Sequence, residues 1–133
     1  MPICLSDYLV AYNKMNKYHA RRTVIDNIAF DSLREGERYC ELVILQRDGQ
    51  IDLLEVHPKF EIIPGFQIDG KKIRATYYEA DFRYWDRKIG RMVAEDVKGF
   101  DRRTGKYRMT ALSALKIKLF KFKYFNDYEF RLV

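Results

Sequence analysis

The chain has 133 residues, of which 47% are hydrophobic and 33% are charged, and its formal net charge is +6. This length suits one domain with a modest core, and the hydrophobic content excludes a disordered chain. The basic surplus favours a polyanionic partner such as nucleic acid, although a soluble protein that is merely basic has the same composition.

The sequence contains no pattern that predicts secretion, membrane insertion or an oxidising compartment. No stretch holds the ~18 apolar residues of a membrane span, and Met1–Cys4 lacks the regions of a signal peptide. The two cysteines and two histidines form neither a disulfide framework nor a zinc-binding pattern. We therefore expect no membrane contact and a location in the reducing cytoplasm.

The first 30 residues lack a clear hydrophobic period, so no regular element is predicted there. A basic run extends from Lys14 to Arg22 within them. We interpret residues 1–30 as a basic N-terminal arm that leads into a domain over residues 31–133.

That domain opens with a helix signal. Ser32 and Glu35 form the S-x-x-E capping pattern that is typical of a helix start. Apolar residues follow at helical spacing, and Asp48-Gly49 ends them. The pattern predicts a helix over residues 32–47.

Runs of β-prone residues follow the helix. Ile51–Glu55 and Phe60–Ile63 are short and are bounded by prolines, which places them at a sheet edge or a bend. Asp69-Gly70 predicts a turn. Aromatic and β-branched residues then predict one long strand over Lys72–Trp85 and another over Arg91–Lys98.

The C-terminal segment contains one ambiguous element. Residues 109–123 space their leucines as a helix does, yet Leu115–Leu119 alternates like a strand, and the small residues at the front favour a helix. Residues 127–133 predict a final strand. The predicted order is a helix, three or four strands, a helix and a strand, which is an α/β arrangement.

Two aspartates and a lysine on neighbouring predicted strands carry the strongest chemical signal. Asp96 and Lys98 share a face because side chains alternate along a strand. If Asp86 pairs with Arg91 across a four-residue loop, Asp81 falls directly opposite Asp96. Two opposed carboxylates repel each other, which favours a cation between them.

Mg²⁺ suits that position because it prefers oxygen ligands. Lys98 would then stabilise charge on a phosphate or help to position an attacking water. In the alternative interpretation, the aspartates are solvated strand residues and Lys98 is their salt-bridge partner. The short pattern alone does not decide, but the capped helix before it and the basic segment after it favour a site.

Two stretches, Ala80-Asp81-Phe82 and Glu95-Asp96-Val97-Lys98-Gly99, resemble the D…(D/E)xK signature of the restriction-endonuclease-like, PD-(D/E)XK, superfamily. Where that signature usually has a proline before the first aspartate, this chain has Ala80. With Lys17–Thr23, Tyr78–Tyr84 and other matches over residues 17–133, the chain resembles a family of small phage and prophage proteins. That family is similar to phage endonuclease I, a Holliday-junction resolvase, and to transposon end-cleaving nucleases. The resemblance implies an α/β fold with an α-β-β-β-α-β core, in which helices flank a central mixed sheet.

The resemblance also implies roles for individual residues. Asp81 and Asp96 would hold Mg²⁺ or Mn²⁺ together with the Val97 carbonyl, and Lys98 would be the catalytic lysine. Glu35 would complete a second metal position, unless it serves only the helix cap. Alternation along the strand directs Glu95 away from this group.

A basic segment follows the candidate site. Residues 102–123 contain no acidic residue, and their eight basic residues are Arg102, Arg103, Lys106, Arg108, Lys116, Lys118, Lys121 and Lys123. A solvated helix face has the same pattern. Next to a nuclease-like site, we interpret the segment as a surface that binds DNA phosphates.

We therefore expect a metal-dependent endonuclease that hydrolyses phosphodiester bonds in branched DNA, encoded by a phage or prophage and acting as a homodimer. The aromatic side chains of Tyr77, Phe82, Tyr84 and Trp85 could form the dimer interface or the core. One alternative is a catalytically inert DNA-binding or phage structural module on the same fold. Another is a nicking or end-processing nuclease.

Overall fold

A computed structural model of the chain describes residues 14–15 and 21–133. The chain divides into two units, residues 1–51 and residues 52–133. The described residues combine strands with two helices, so the predicted α/β class is confirmed. Neither of these helices is long and apolar enough to cross a membrane.

The first unit contains an antiparallel sheet whose strands lie side by side in the order β1 (Lys14–Met15), β2 (Arg21–Ile25) and β3 (Ile28–Phe30). Asp26 and Asn27 connect β2 and β3 with positive φ angles of 52° and 62°, which these residue types tolerate better than most. Residues 21–30 therefore form a hairpin, which corrects the prediction of an irregular lead-in. Residues 16–20 of the basic run lie outside the described residues.

Helix α1 (Leu33–Arg47) begins at the predicted cap. Ser32 Oγ accepts a hydrogen bond from the Glu35 N–H at 3.1 Å, which satisfies one of the open donors of the first turn. The Glu35 carboxylate accepts from the Asp31 N–H at 3.3 Å. The predicted helix over residues 32–47 is confirmed, and Cys40 is buried on it as a thiol on an apolar face is expected to be.

The remaining elements follow in chain order. They are β4 (Ile51–Val56), β5 (Lys59–Ile63), β6 (Phe66–Ile68), β7 (Lys71–Ile73), β8 (Thr76–Glu79), β9 (Phe82–Asp86), β10 (Arg91–Asp96), β11 (Phe100–Asp101), β12 (Lys106–Tyr107), α2 (Ala111–Tyr124) and β13 (Tyr128–Leu132). A four-stranded sheet in the order β13-β10-β9-β4 is their framework. Strand β10 pairs antiparallel with β9 and parallel with β13, so the predicted mixed sheet is present.

The predicted long strand over Lys72–Trp85 is wrong. The segment is divided into β7, β8 and β9, with breaks at Arg74-Ala75 and at Ala80-Asp81. The chain bends at the second break because β8 pairs with β5, whereas β9 pairs with β10 in the four-stranded sheet. Strand propensity reports how each residue suits extended backbone, not which partner strand it pairs with.

Helix α2 packs over the core of the second unit. Its buried residues Ile117 and Phe120 are three positions apart, which is helical spacing, and they contact a cluster that includes Phe60, Tyr78 and Ala94. The ring centroids of Phe60 and Phe120 are 4.7 Å apart. The prediction of a helix rather than a strand over residues 109–123 is confirmed.

Candidate functional site

Strands β9 and β10 bring Asp81 and Asp96 to one end of the four-stranded sheet. The predicted register is confirmed, and its last paired residues are Phe82 and Glu95. Asp81 lies one residue beyond, in the bend, and its N–H donates to the Glu95 carbonyl at 3.1 Å. Asp81 and Asp96 are thus the next pair in the same register, one residue beyond the last paired residues of β9 and β10.

The Asp81 carboxylate lies against the end of β10. Its Oδ2 accepts a hydrogen bond from the Val97 N–H at 2.6 Å. Because Val97 directly follows Asp96, this bond holds the bend beside the second aspartate.

His57 lies next to Asp81, which sequence analysis did not foresee. A ring nitrogen of His57 is within 4.8 Å of an Asp81 carboxylate oxygen. The backbone N–H of His57 also donates to the Asp81 carbonyl at 2.9 Å. The sequence feature that could have indicated this contact is the His57-Pro58 interruption between two strands. It places His57 where the chain leaves the sheet, and Asp81 lies at a similar position.

Asp96 is a buried carboxylate, with 4% of its surface exposed. Its Oδ2 accepts a hydrogen bond from the Tyr78 hydroxyl at 2.8 Å and lies 3.3 Å from Lys98 Nζ. Burial raises the pKa of the Tyr78 hydroxyl far above its usual range, and the negative charge of Asp96 adds to this effect. Tyr78 therefore stays protonated and donates to Asp96, which helps to stabilise a charge that burial alone would penalise.

The backbone of the segment from Asp96 to Lys98 is fixed by the end of the parallel strand β13. The Val133 N–H donates to the Asp96 carbonyl, and the Lys98 N–H donates to the Val133 carbonyl, both at 3.0 Å. The Val97 N–H points to the other side and donates to the Asp81 carboxylate. The three residues of the DxK motif are thus held from both sides by hydrogen bonds.

A cleft of about 250 Å³ opens beside Asp96. It is lined by Tyr78, Glu79, Asp96, Lys98, Thr110, Leu112, Ser113 and Lys116. Thr110 is the N-cap of α2, and its Oγ1 accepts from the Ser113 N–H at 3.1 Å. The cleft therefore combines two carboxylates, two ammonium groups and the N-terminal turn of a helix.

The other basic residues of the segment lie outside this cleft. Strands β11 and β12 form a hairpin directly after Lys98, and Arg102 and Arg103 are exposed in its turn. The Arg108 N–H donates to the Gly99 carbonyl at 2.6 Å, which closes the base of this hairpin. Further exposed cations are Lys106, Arg108, Lys118, Lys121 and Lys123.

The two other predicted glutamates, Glu95 and Glu35, make contacts of their own. Glu95 is fully buried and its Oε2 accepts from the Tyr84 hydroxyl at 2.7 Å, so it points away from Asp96 as predicted. Glu35 belongs to the first unit, where its contacts with Ser32 and Asp31 are those of a helix cap. Its role in catalysis stays a prediction.

Comparison with curated proteins and with solved structures found no match. A scan of protein families matched one family, described as "Protein of unknown function (DUF1064)", over residues 15–131. This match covers nearly the whole chain. The chain therefore belongs to the DUF1064 family.

Proposed function

We propose that this chain is a metal-dependent DNA endonuclease that hydrolyses phosphodiester bonds. The observation that carries the proposal is the buried carboxylate of Asp96, which lines a cleft together with the ammonium groups of Lys98 and Lys116. A buried acid can bind a divalent cation, while neighbouring cations favour a phosphate.

The two aspartates at the end of β9 and β10 offer donor atoms that suit Mg²⁺ or Mn²⁺. Asp81 and Asp96 offer carboxylate oxygens, which hard divalent cations prefer. Because Asp96 Oδ2 already contacts Tyr78 and Lys98, the metal would bind at Oδ1. Extended backbone directs the N–H and C=O of one residue to the same side, so the Val97 carbonyl is the third expected ligand.

When bound, the metal would polarise the scissile phosphate and lower the pKa of a bound water. Lys98 cannot be a ligand because an ammonium group has no lone pair. Its Nζ, 3.3 Å from Asp96, would stabilise the negative charge that builds up on the phosphate, or orient the attacking water. Lys116, which lines the cleft from α2, would hold an adjacent phosphate.

The exposed cations of residues 102–123 support DNA as the substrate. They extend from the β11–β12 hairpin along α2, and the segment itself contains no acid. Lys123 is paired with Glu61 at 3.5 Å, and the other exposed cations can neutralise a series of phosphates. Such contacts position DNA without reading its sequence. We therefore propose recognition of DNA structure, in particular of branched DNA such as a Holliday junction.

The order α1, β4, β9, β10, α2, β13 supports a restriction-endonuclease-like core with its site at the end of β9 and β10.

We further propose a homodimer, because resolution of a junction requires two cuts. Tyr84 and Phe82 are buried within the chain, so of the aromatic residues on this segment Tyr77 and Trp85, which are 48% and 36% exposed, would contribute to the interface. Glu35 remains the proposed second metal ligand, and the bacterial cytoplasm the proposed location.

The alternative is a catalytically inert DNA-binding module. It is favoured by the existing partners of the two acids, since Lys98 and Tyr78 neutralise and hydrogen-bond Asp96, and the Val97 N–H bonds Asp81. A carboxylate satisfied in this way does not require a metal.

Incubation with a four-way junction, a splayed fork and a linear duplex, in Mg²⁺ and in EDTA, separates the two functions. The nuclease proposal predicts cleavage in Mg²⁺ only, with the branched substrates cut faster than the duplex. Binding of all three DNAs without cleavage in Mg²⁺ or Mn²⁺ would establish the inert module instead.

A further inference from the structure

Strands β5 to β8 form one extended β-arm, residues 59–79. In β5 and β8, Ile63 lies opposite Thr76, and in β6 and β7, Phe66 lies opposite Ile73. Phe66 lies three residues after Ile63, and Ile73 lies three residues before Thr76. The two pairs therefore belong to the same register, which continues across the break between them. At this break, a Cβ on Gly65 would lie 3.3 Å from the Ile73 carbonyl oxygen, which indicates that the two sides stay close together.

The two halves of the arm differ in burial. The half nearer the sheet contributes Phe60, Ile62 and Tyr78 to the core. In the outer half, which we name the tip (residues 66–73), every residue is exposed. A two-residue turn with positive φ angles, Asp69 at 49° and Gly70 at 74°, closes it.

The tip exposes apolar side chains on one face. Phe66, Ile68 and Ile73 lie on this face by the register of the pair, and they are 50%, 56% and 40% exposed. A two-stranded hairpin has little stability of its own, and exposing apolar side chains to water adds no stability to it. A contiguous apolar face exposed in this way is typical of a binding surface.

The charges around this face favour a polyanion. By the register, Lys71 lies on this face opposite Ile68. Lys72 and Arg74 belong to the other face of the pair, but they line one cavity together with Phe66 and Ile73. The tip contains a single acid, Asp69. A second copy docked tip to tip would bring these cations together, which disfavours self-association. Apolar and aromatic surface framed by cations is the combination that binds bases and phosphates of unpaired nucleic acid.

We propose that the tip of the arm binds nucleobases that are unstacked at a DNA branch. Phe66 stacks on the face of an exposed base, while Lys71, Lys72 and Arg74 contact the neighbouring phosphates. Bases within a duplex are covered by their neighbours, so the tip distinguishes a branch from a linear duplex. The inference rests on the proposed nuclease function and names the substrate feature that it recognises.

The arm also links this feature to the candidate site. Strand β8 extends from the tip end of the arm to Tyr78 and Glu79, which line the cleft beside Asp96. A base held at the tip would thus be held by the same arm whose strand β8 forms one wall of the cleft.

The test measures binding in EDTA, where cleavage does not intervene. Fluorescently labelled splayed fork and linear duplex of equal length are titrated with wild-type protein, Phe66→Leu and Phe66→Tyr. Phe66→Leu keeps an apolar side chain but removes the ring, and we expect it to weaken fork binding by about 5-fold to 100-fold, as for loss of one base-stacking aromatic. Duplex binding should change less than about twofold, and Phe66→Tyr should restore the fork affinity.

Phe125→Leu is the matched control, because Phe125 is also exposed (65%) but lies at the end of α2. Equal loss of fork and duplex binding, or no loss of either, would overturn the proposal. So would conversion of a dimer to a monomer by Phe66→Leu in sedimentation, since the tip would then cover a second copy. Wild-type cleavage in Mg²⁺, measured separately, reports on the nuclease function alone, so the two ideas fail independently.

Discussion

The Tyr78 hydroxyl donates a hydrogen bond of 2.8 Å to Asp96 Oδ2, and both side chains are almost completely buried. The tyrosine comes from the β-arm and the aspartate from the central sheet, so this bond joins the two parts of the second unit at the cleft. We propose that the Tyr78 hydrogen bond orients this carboxylate; because Lys98 Nζ also lies 3.3 Å from Oδ2, Oδ1 is the oxygen proposed to bind the metal.

Tyr78→Phe should therefore weaken metal binding more than it slows chemistry. Removal of such a supporting hydrogen bond typically costs 10-fold to 100-fold in metal affinity or activity. We expect the Mg²⁺ concentration for half-maximal cleavage to rise by about tenfold, while the rate at saturating Mg²⁺ falls less than about threefold. Single-turnover cleavage across a Mg²⁺ titration measures both quantities. Tyr107→Phe, at an exposed ring on β12, is the control, and an unchanged Mg²⁺ requirement in Tyr78→Phe would remove the proposed role.

Lys98→Ala is expected to show the opposite pattern. If Lys98 acts on the phosphate or the attacking water, its loss leaves metal affinity nearly unchanged and lowers the cleavage rate by about 10²-fold to 10³-fold. Calorimetric titration with Mg²⁺ and single-turnover cleavage of the same variant test this. Lys88→Ala, in the exposed turn between β9 and β10, is the control. Near-normal turnover at saturating metal would make Lys98 a structural partner of Asp96 only.

The basic surface should appear in the salt dependence of DNA binding. For duplex DNA, each neutralised phosphate contributes about −0.9 to the slope of log K against log salt. Replacing Lys116, Lys118 and Lys121 by Gln should flatten this slope by up to about 2.7 if each contacts one phosphate. The matched triple Arg102→Gln, Arg103→Gln and Lys106→Gln tests the β11–β12 hairpin in the same way. Unchanged slopes in both triples would move the DNA contacts elsewhere in the chain.

Glu35 has two proposed roles that substitution can separate. Glu35→Gln retains a side chain that can complete a capping box, so the free energy of unfolding should change little, whereas a lost metal ligand should lower cleavage. Ser32→Ala should instead destabilise the fold by about 1 kcal/mol and leave cleavage of the folded protein intact. Urea denaturation and Mg²⁺-dependent cleavage of both variants provide the comparison. Full cleavage by Glu35→Gln would assign Glu35 to the cap alone.

The sequence predicted the parts of this structure that depend on local patterns. The cap at Ser32, the helix through Phe120 and the register that places Asp81 next to Asp96 all follow from spacing along the chain. The register could be predicted because one four-residue turn determines which residues face each other.

The parts that escaped prediction depend on contacts between distant segments. Nothing local in the run from Lys72 to Trp85 indicates that β8 and β9 have different partner strands, so the bend at Asp81 was missed. The same bend brings His57 and Tyr78 into the site, and neither residue is part of the motif. For the same reason, the hairpin over residues 21–30 was not foreseen, because its pattern is short and its turn uses Asp26-Asn27 rather than a glycine.

The most direct test of the proposed nuclease is single-turnover cleavage of a four-way junction by Asp96→Asn in saturating Mg²⁺. Asparagine keeps the size of the side chain and can accept the Tyr78 hydrogen bond, so the variant should fold. Because Asp96 is proposed to bind the metal rather than phosphate, the variant should bind the junction in EDTA with an affinity within about threefold of wild type. Asp127→Asn, exposed after α2, is the control and should cut at the wild-type rate. The proposal predicts that wild type cuts in Mg²⁺ but not in EDTA and that Asp96→Asn does not cut. Cleavage by Asp96→Asn at the wild-type rate would contradict the assignment of the active site.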